Sequence, residues 1–160
     1  MAALGTAAAL SSTSTDATAG QSPYRSSAFL SAIGLVIGIV VHGILDYLPH
    51  SYPIPSRLDV ALSLILVVLT IAMAKPKTRS IVLACYLGCI LPDVIDLAPA
   101  ILNRTFGLGL PTPKMFPWHW PKYSGSIYDG SKKLESALLH FAVLALSIGL
   151  IVRNRRTLLA

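Results

Sequence analysis

The chain has 160 residues, of which 54% are hydrophobic and 12% charged, with a formal net charge of +6 and a mean hydropathy of +0.67. A soluble domain carries about 25% charged residues, so an ordinary soluble fold is excluded and one polytopic membrane domain is implied. The positive balance does not point to nucleic acid, because the basic residues stand in short clusters beside apolar segments, as orientation signals do. Cys85 and Cys89 lie within an apolar run and read as small apolar side chains rather than as a disulfide.

Residues 1–27 are rich in Ala, Ser, Thr and Gly, carry only Asp16 and Arg25 as charges, and are expected to form a disordered tail. A signal peptide would need a basic start and a longer apolar core. Four apolar segments follow, at Ala28–Leu48, Leu58–Ala74, Ser80–Leu102 and Leu134–Val152. Each is close to the roughly 17–25 residues that cross a bilayer as a helix. The expected fold is therefore all-α: a four-helix transmembrane bundle over residues 28–152, followed by a basic C-terminal tail at 153–160. Pro49, Pro53 and Pro55 fill the first loop, and Ser56-Arg57-Leu58-Asp59 resembles a capping box that starts the second helix.

Lys75, Lys77 and Arg79 crowd the second loop, and Arg153, Arg155 and Arg156 follow the fourth helix. In a four-helix arrangement these clusters share one side, which the positive-inside rule makes cytoplasmic. Arg104, Lys114, Lys122, Lys132 and Lys133 in the third loop pull the other way. The expected location is a bacterial inner (plasma) membrane. Whatever the orientation, the ends of helices one and three and the start of helix four share the opposite face. All four histidines and every acid except Asp16 collect there. His42 lies roughly 9–10 Å below the end of the first helix at 1.5 Å per residue, and His140 lies about as deep in the fourth.

The stretch Leu91-Pro92-Asp93-Val94-Ile95-Asp96 puts two carboxylates into an apolar segment. Charges at membrane depth are costly and face a partner, a cavity or a metal. Asp93 and Asp96 are three residues apart, which places them on roughly one helix face. Two close carboxylates repel unless one is protonated or a cation lies between them. Pro92 is expected to kink or end the helix. If it ends there, both acids instead sit in a wet loop. His42 and Asp46, at i and i+4, can reach one ion, or they can be a hydrogen-bonded pair that joins two helices. Gly34 and Gly38 continue their stripe as a small-residue face on which another helix packs closely, which leaves a homo-oligomer open.

His140 stands in an apolar helix, where a hydrogen-bonded core role competes with ligation. His119 lies in Trp118-His119-Trp120, where the tryptophans read as interface anchors and the histidine either caps the site or is structural. His50 reads as a loop residue. The candidate metal ligands are thus His42, Asp46, Asp93, Asp96, His119 and His140, with Asp93 and Asp96 also as candidate catalytic groups. Imidazole and carboxylate together suit zinc, and also manganese or iron. A metal with an open position would acidify a water for attack on an ester or phosphoester, and a free carboxylate could take its proton.

At these residues the chain resembles the membrane-bound metal-dependent hydrolase family typified by YdjM. Gly88-Cys89-Ile90-Leu91-Pro92-Asp93-Val94-Ile95-Asp96 is similar to that family's Gly-x-x-Leu-Pro-Asp-x-x-Asp motif, and His42 to its early histidine. Trp118-His119-Trp120-Pro121 and Leu139-His140-Phe141 keep the order of its later histidines with different neighbours. The resemblance implies metal-dependent hydrolysis. The expected function is an integral membrane hydrolase whose partner is a membrane lipid or lipid-linked ester or phosphoester, with the site on the non-cytoplasmic side. The alternatives are a cation or proton transporter using the same cluster, and a structural protein in which these residues only fix helix packing.

Overall fold

The structure, a computed structural model, describes residues 23–51, 56–127 and 131–159 of the chain. Among these residues it is all-helical: α1 Pro23–Tyr47, α2 Ser56–Met73, α3 Pro76–Asp96, α4 Ala98–Phe106 and α5 Lys133–Leu158, with a 3-10 turn at Pro117–His119. Ser27–Tyr47, Pro76–Asp96 and Lys133–Leu158 are long and apolar enough to cross a membrane, while α2 holds a shorter apolar stretch, Val60–Met73. The protein is therefore a membrane protein by length and composition of its helices. Three helices, not four, meet the full length on their own.

Helices α1 and α3 form the tightest pair, and small residues explain why. A Cβ placed on Gly38 would lie 2.6 Å from the Cys85 carbonyl oxygen, and one on Gly88 would strike the Leu35 carbonyl oxygen. Reciprocal glycines let the two backbones touch, so dispersion and weak polar contacts act over the whole seam. The predicted stripe is thus a packing face within the chain, and its partner glycine is Gly88. The pair runs parallel. Ser27 Oγ meets Ser80 Oγ at 3.0 Å at one end, and His42 Nε2 meets Asp93 Oδ1 at 3.5 Å near the other.

Because α1 and α3 are parallel, the chain between Tyr47 and Pro76, which includes α2, returns from one end of the pair to the other. Helix α5 is pinned near its ends. Ser51 donates its backbone N–H to Ser136 Oγ at 2.9 Å, and at the far end Lys75 donates its backbone N–H to the Leu158 carbonyl at 3.1 Å. Leu158 is fully buried, and Leu150 and Ile151 pack with it on the core of Ile81, Val82, Cys85 and Tyr86. The basic clusters around Lys75 and Arg156 therefore do share one end, where the Lys75 ammonium meets the Arg156 carbonyl.

Three boundaries differ from the sequence reading. Helix α1 begins at Pro23, inside the expected tail. Helix α3 continues through Pro92 to Asp96 and then breaks at Leu97, before α4 starts. Proline removes only the one bond its N–H would have made, and flanking turns hold the helix, with Leu97 donating to the Asp93 carbonyl at 2.8 Å. Residues 97–102 thus belong to no continuous third span. Helix α5 runs to Leu158, so most of the expected basic tail is helical and packed. The expected Ser56 cap, Pro53, Pro55 and the side chains of Asp59 and Asp129 lie outside the described residues.

Candidate metal centre

Four side chains from three elements converge at one end of the α1–α3 seam. His42 and Asp46 come from adjacent turns of α1, Asp93 from the last turn of α3, and His119 from the 3-10 turn. Their nearest ligand atoms all lie within 4.8 Å of one another. His119 Nε2 is 3.1 Å from Asp46 Oδ2 and 3.2 Å from Asp93 Oδ1. His42 Nε2 is 3.4 Å from Asp46 Oδ2 and 3.5 Å from Asp93 Oδ1. A tetrahedron with arms of about 2.0–2.1 Å, as zinc takes with nitrogen and oxygen, has edges of about 3.3–3.4 Å. The four His–Asp edges bracket that value, and all six edges lie within 4.8 Å.

The electrostatics agree with the geometry. His42 Nε2 and His119 Nε2 are buried polar atoms without a hydrogen-bond partner. Buried polar groups are normally paired, and two imidazole nitrogens aimed at two carboxylates at 3.1–3.5 Å suit a ligand set as well as a His–Asp ion-pair cluster. Positive charge between the carboxylates, from a metal or from a protonated imidazole, relieves their repulsion. The residues present therefore fit a divalent ion, and the His42, Asp46, Asp93 and His119 group can hold one.

Asp96 lies behind this group rather than in it. Its side chain is buried, and His119 Nδ1 donates to Asp96 Oδ2 at 2.9 Å. The same carboxylate accepts the backbone N–H groups of Met115 at 2.8 Å and Phe116 at 2.9 Å. Protonation at Nδ1 leaves the lone pair on Nε2, facing the centre. A carboxylate on the second ring nitrogen is the usual way to orient a metal-binding histidine. Asp96 is thus a positioning residue, because its oxygens are already engaged. The shared-face argument placed both acids in the site, but three residues of helix turn them some 60° apart.

The loop that brings His119 home is built by local signals. Gly107 ends α4 in the left-handed region at φ 65°, with its N–H on the Asn103 carbonyl at 2.8 Å. Asn103 then clips Leu110 through two bonds of 2.7 Å. Trp118 wedges against α1, where a Cβ on Gly43 would lie 2.7 Å from its ring, and it stacks on Phe116 at 5.0 Å. This tryptophan packs inside rather than anchoring the loop at an interface; Trp120 is exposed. Beyond the turn, Gly125 donates to the Asp46 carbonyl at 2.7 Å, so the same loop also ties down the helix end that carries a ligand.

His140 is outside the group. Its Nδ1 donates to the Ser136 carbonyl at 2.7 Å, one turn earlier on α5. Depth along the helix matched that of His42, but the ring is turned toward its own backbone. His50 donates from Nδ1 to the Leu48 carbonyl at 2.9 Å and accepts from Ser126 Oγ at 3.0 Å, a loop role. Both rings nevertheless border a cavity of about 550 Å³, and His42 and Asp46 form another part of its wall. Gly43, Gly88 and the Met115 and Phe116 amides were missed from sequence. Only the glycines left a signal there, as small residues in otherwise bulky apolar helices.

Comparison of the chain with protein-family models, with curated proteins and with solved structures gives no match.

Proposed function

We propose that the protein is an integral membrane, zinc-dependent hydrolase acting on a lipid or lipid-linked ester or phosphoester. The observation that carries this reading is the pair of buried, unpartnered imidazole nitrogens facing two carboxylate oxygens at tetrahedral-edge distances, beside an apolar cavity. The likeness of Gly88–Asp96 to the motif of the YdjM-typified hydrolases supports the same reading. When bound, a divalent cation supplies Lewis acidity, acidifying a water and polarising the scissile group's oxygen. Zinc suits a four-ligand nitrogen and oxygen set better than manganese, which favours six oxygens.

The chain's own residues divide the remaining work. His119 is held in one tautomer by Asp96. His42 and Asp46 are fixed by adjacent turns of one helix. Asp93 has a side chain 48% exposed, the most open of the four, against 5% for His119. Its second oxygen is the group placed to take a proton from an attacking water and to pass it to the leaving alcohol. The apolar surroundings limit competing water.

We read α2 as a fourth crossing, because α1 and α3 are parallel and the chain must return between them. The basic end around Lys75 and Arg156 then faces the cytoplasm and the metal centre the other side of a bacterial inner membrane. Transport by the same residues is less well supported, since residues 23–41 of α1 and 76–92 of α3 contain no acid and no histidine to continue a path.

The test is the metal content of detergent-purified protein beside Asp93→Asn and His42→Ala. Near-stoichiometric zinc in the parent, lost in both variants while helical content survives, is the expected result. A parent that stays metal-free after repletion would sink the hydrolase reading.

A further inference from the structure

The cavity beside the metal centre is graded from polar to apolar, in the way a membrane lipid is. At the loop end its wall is made by His42, Asp46, His50 and His140. Deeper, the wall is Leu66 and Val67 of α2, Tyr86 of α3, and Val143 and Leu144 of α5. Val143 lies ten residues into α5, so the apolar part reaches roughly 15 Å below the helix start at 1.5 Å per residue. That is about half the thickness of a bilayer's hydrocarbon core. Its volume of about 550 Å³ lies within the range of small-molecule sites.

The cavity lies along the first half of α5, between two anchors. The Ser51–Ser136 bond fixes its start, and buried Ser147 with Leu150, Ile151 and Leu158 holds its second half. Between Ser136 and Ser147 the helix leaves space walled also by α1, α2 and α3. At that depth the surrounding medium is hydrocarbon, so a half-polar ligand such as a free sugar phosphate has no apolar part to bury there. The polar end also holds an acceptor for a headgroup hydroxyl. His140 is protonated on Nδ1 by its bond to the Ser136 carbonyl, which makes Nε2 the acceptor nitrogen.

We propose that this cavity seats one hydrocarbon chain of a membrane lipid, lying between α5 and the α1–α3 pair, with the lipid's ester or phosphoester at the His42–Asp46 end. The position of the scissile group rests on the hydrolase reading above; the seat for the chain does not. The chain enters along the leaflet rather than from water, so the lipid never leaves the membrane to reach the metal centre. Its polar part meets His140, His42 and Asp46, which share that end of the wall.

The test uses the full-length protein in nanodiscs that contain phosphatidylglycerol with a diazirine near the end of one acyl chain. After photolysis, labelled residues are mapped by mass spectrometry, and zinc is measured on the same samples. The expected result is labelling on Leu66, Val67 or Val143 in addition to the exterior residues Phe29, Val68 and Phe141. Val143→Trp, or Leu66→Trp from the opposite wall, is expected to cut interior labelling at least tenfold and leave exterior labelling and zinc content unchanged. Labelling confined to the exterior, or interior labelling that both tryptophans leave intact, overturns the proposal. Interior labelling of a protein that binds no zinc supports the chain seat and overturns only the hydrolase reading.

Discussion

The α1–α3 pair and α5 are both long apolar helical elements, yet they are held by different means. Along the seam of α1 and α3, glycine meets backbone, and the buried residues of α3 recur from Thr78 to Asp96. Helix α5 is longer, but buries only Ser136, Ser147 and Leu158. Phe141 is 71% exposed and Leu134 73%. The comparison shows a division of labour. Three of the four metal ligands stand on the pair whose geometry is fixed by close packing, as a ligand set needs. The loosely held helix carries no ligand and walls a cavity that has to admit something.

The largest effect is expected from breaking the seam. Gly88→Leu drives a side chain into the Leu35 carbonyl, and overpacking of this kind costs about 1–3 kcal/mol or more. We expect a lowered thermal midpoint and loss of zinc together, measured in detergent by scanning fluorimetry and elemental analysis. Retention of both would mean the seam is not the scaffold.

Next, the loop histidine and the α5 histidine, each offered as a ligand against a structural role, should separate. His119→Ala is expected to abolish stoichiometric zinc, while His140→Ala keeps it, since the His140 ring is bonded to Ser136. Equal loss in both would place α5 inside the metal centre.

A smaller effect is expected at Asp96. Removing an orienting partner of a ligand typically weakens metal affinity by about 10–100-fold without removing the ligand. Competition of Asp96→Asn with a calibrated chelator reads this directly, and an unchanged affinity would show that His119 needs no positioning.

The smallest is at Gly149 on α5, where a Cβ meets nothing within 4 Å. Gly149→Ala should leave zinc content untouched and move stability by no more than about 0.5–1 kcal/mol, in the stabilising direction, through helix propensity. A loss of metal there would show that α5 is coupled to the seam more tightly than its packing suggests.

Much of the architecture was legible because apolar runs near bilayer length are an unambiguous signal. The i, i+4 spacing of His42 and Asp46, and the presence of Asp93 in an apolar run, were enough to pick out three members of the cluster. His119 could only be offered as one of two options, because a loop histidine has no periodicity to say where it points. Its placement depends on the Gly107 turn, the Asn103 clip and the amides of Met115 and Phe116, none of which is visible as a pattern. Asp96 and His140 show the opposite limit. Spacing fixed their depth, but the direction of a side chain around the helix axis is decided by packing. The end of α3 was misjudged because the apolar run continues past Asp96 to Leu102, while the backbone breaks at Leu97 and a separate helix starts at Ala98.

The order of the four ligands along the chain has a consequence for how the protein is made. His42 and Asp93 stand on parallel helices, so they cannot meet until α2 has turned back between them. His119 then arrives from a segment synthesised after α3 is already complete. No shorter nascent chain contains the whole coordination set. Capture of an ion by this group would therefore be a late event of biogenesis, completed only once the loop has folded down. A bound ion would act as a latch that fastens this loop to the two helices.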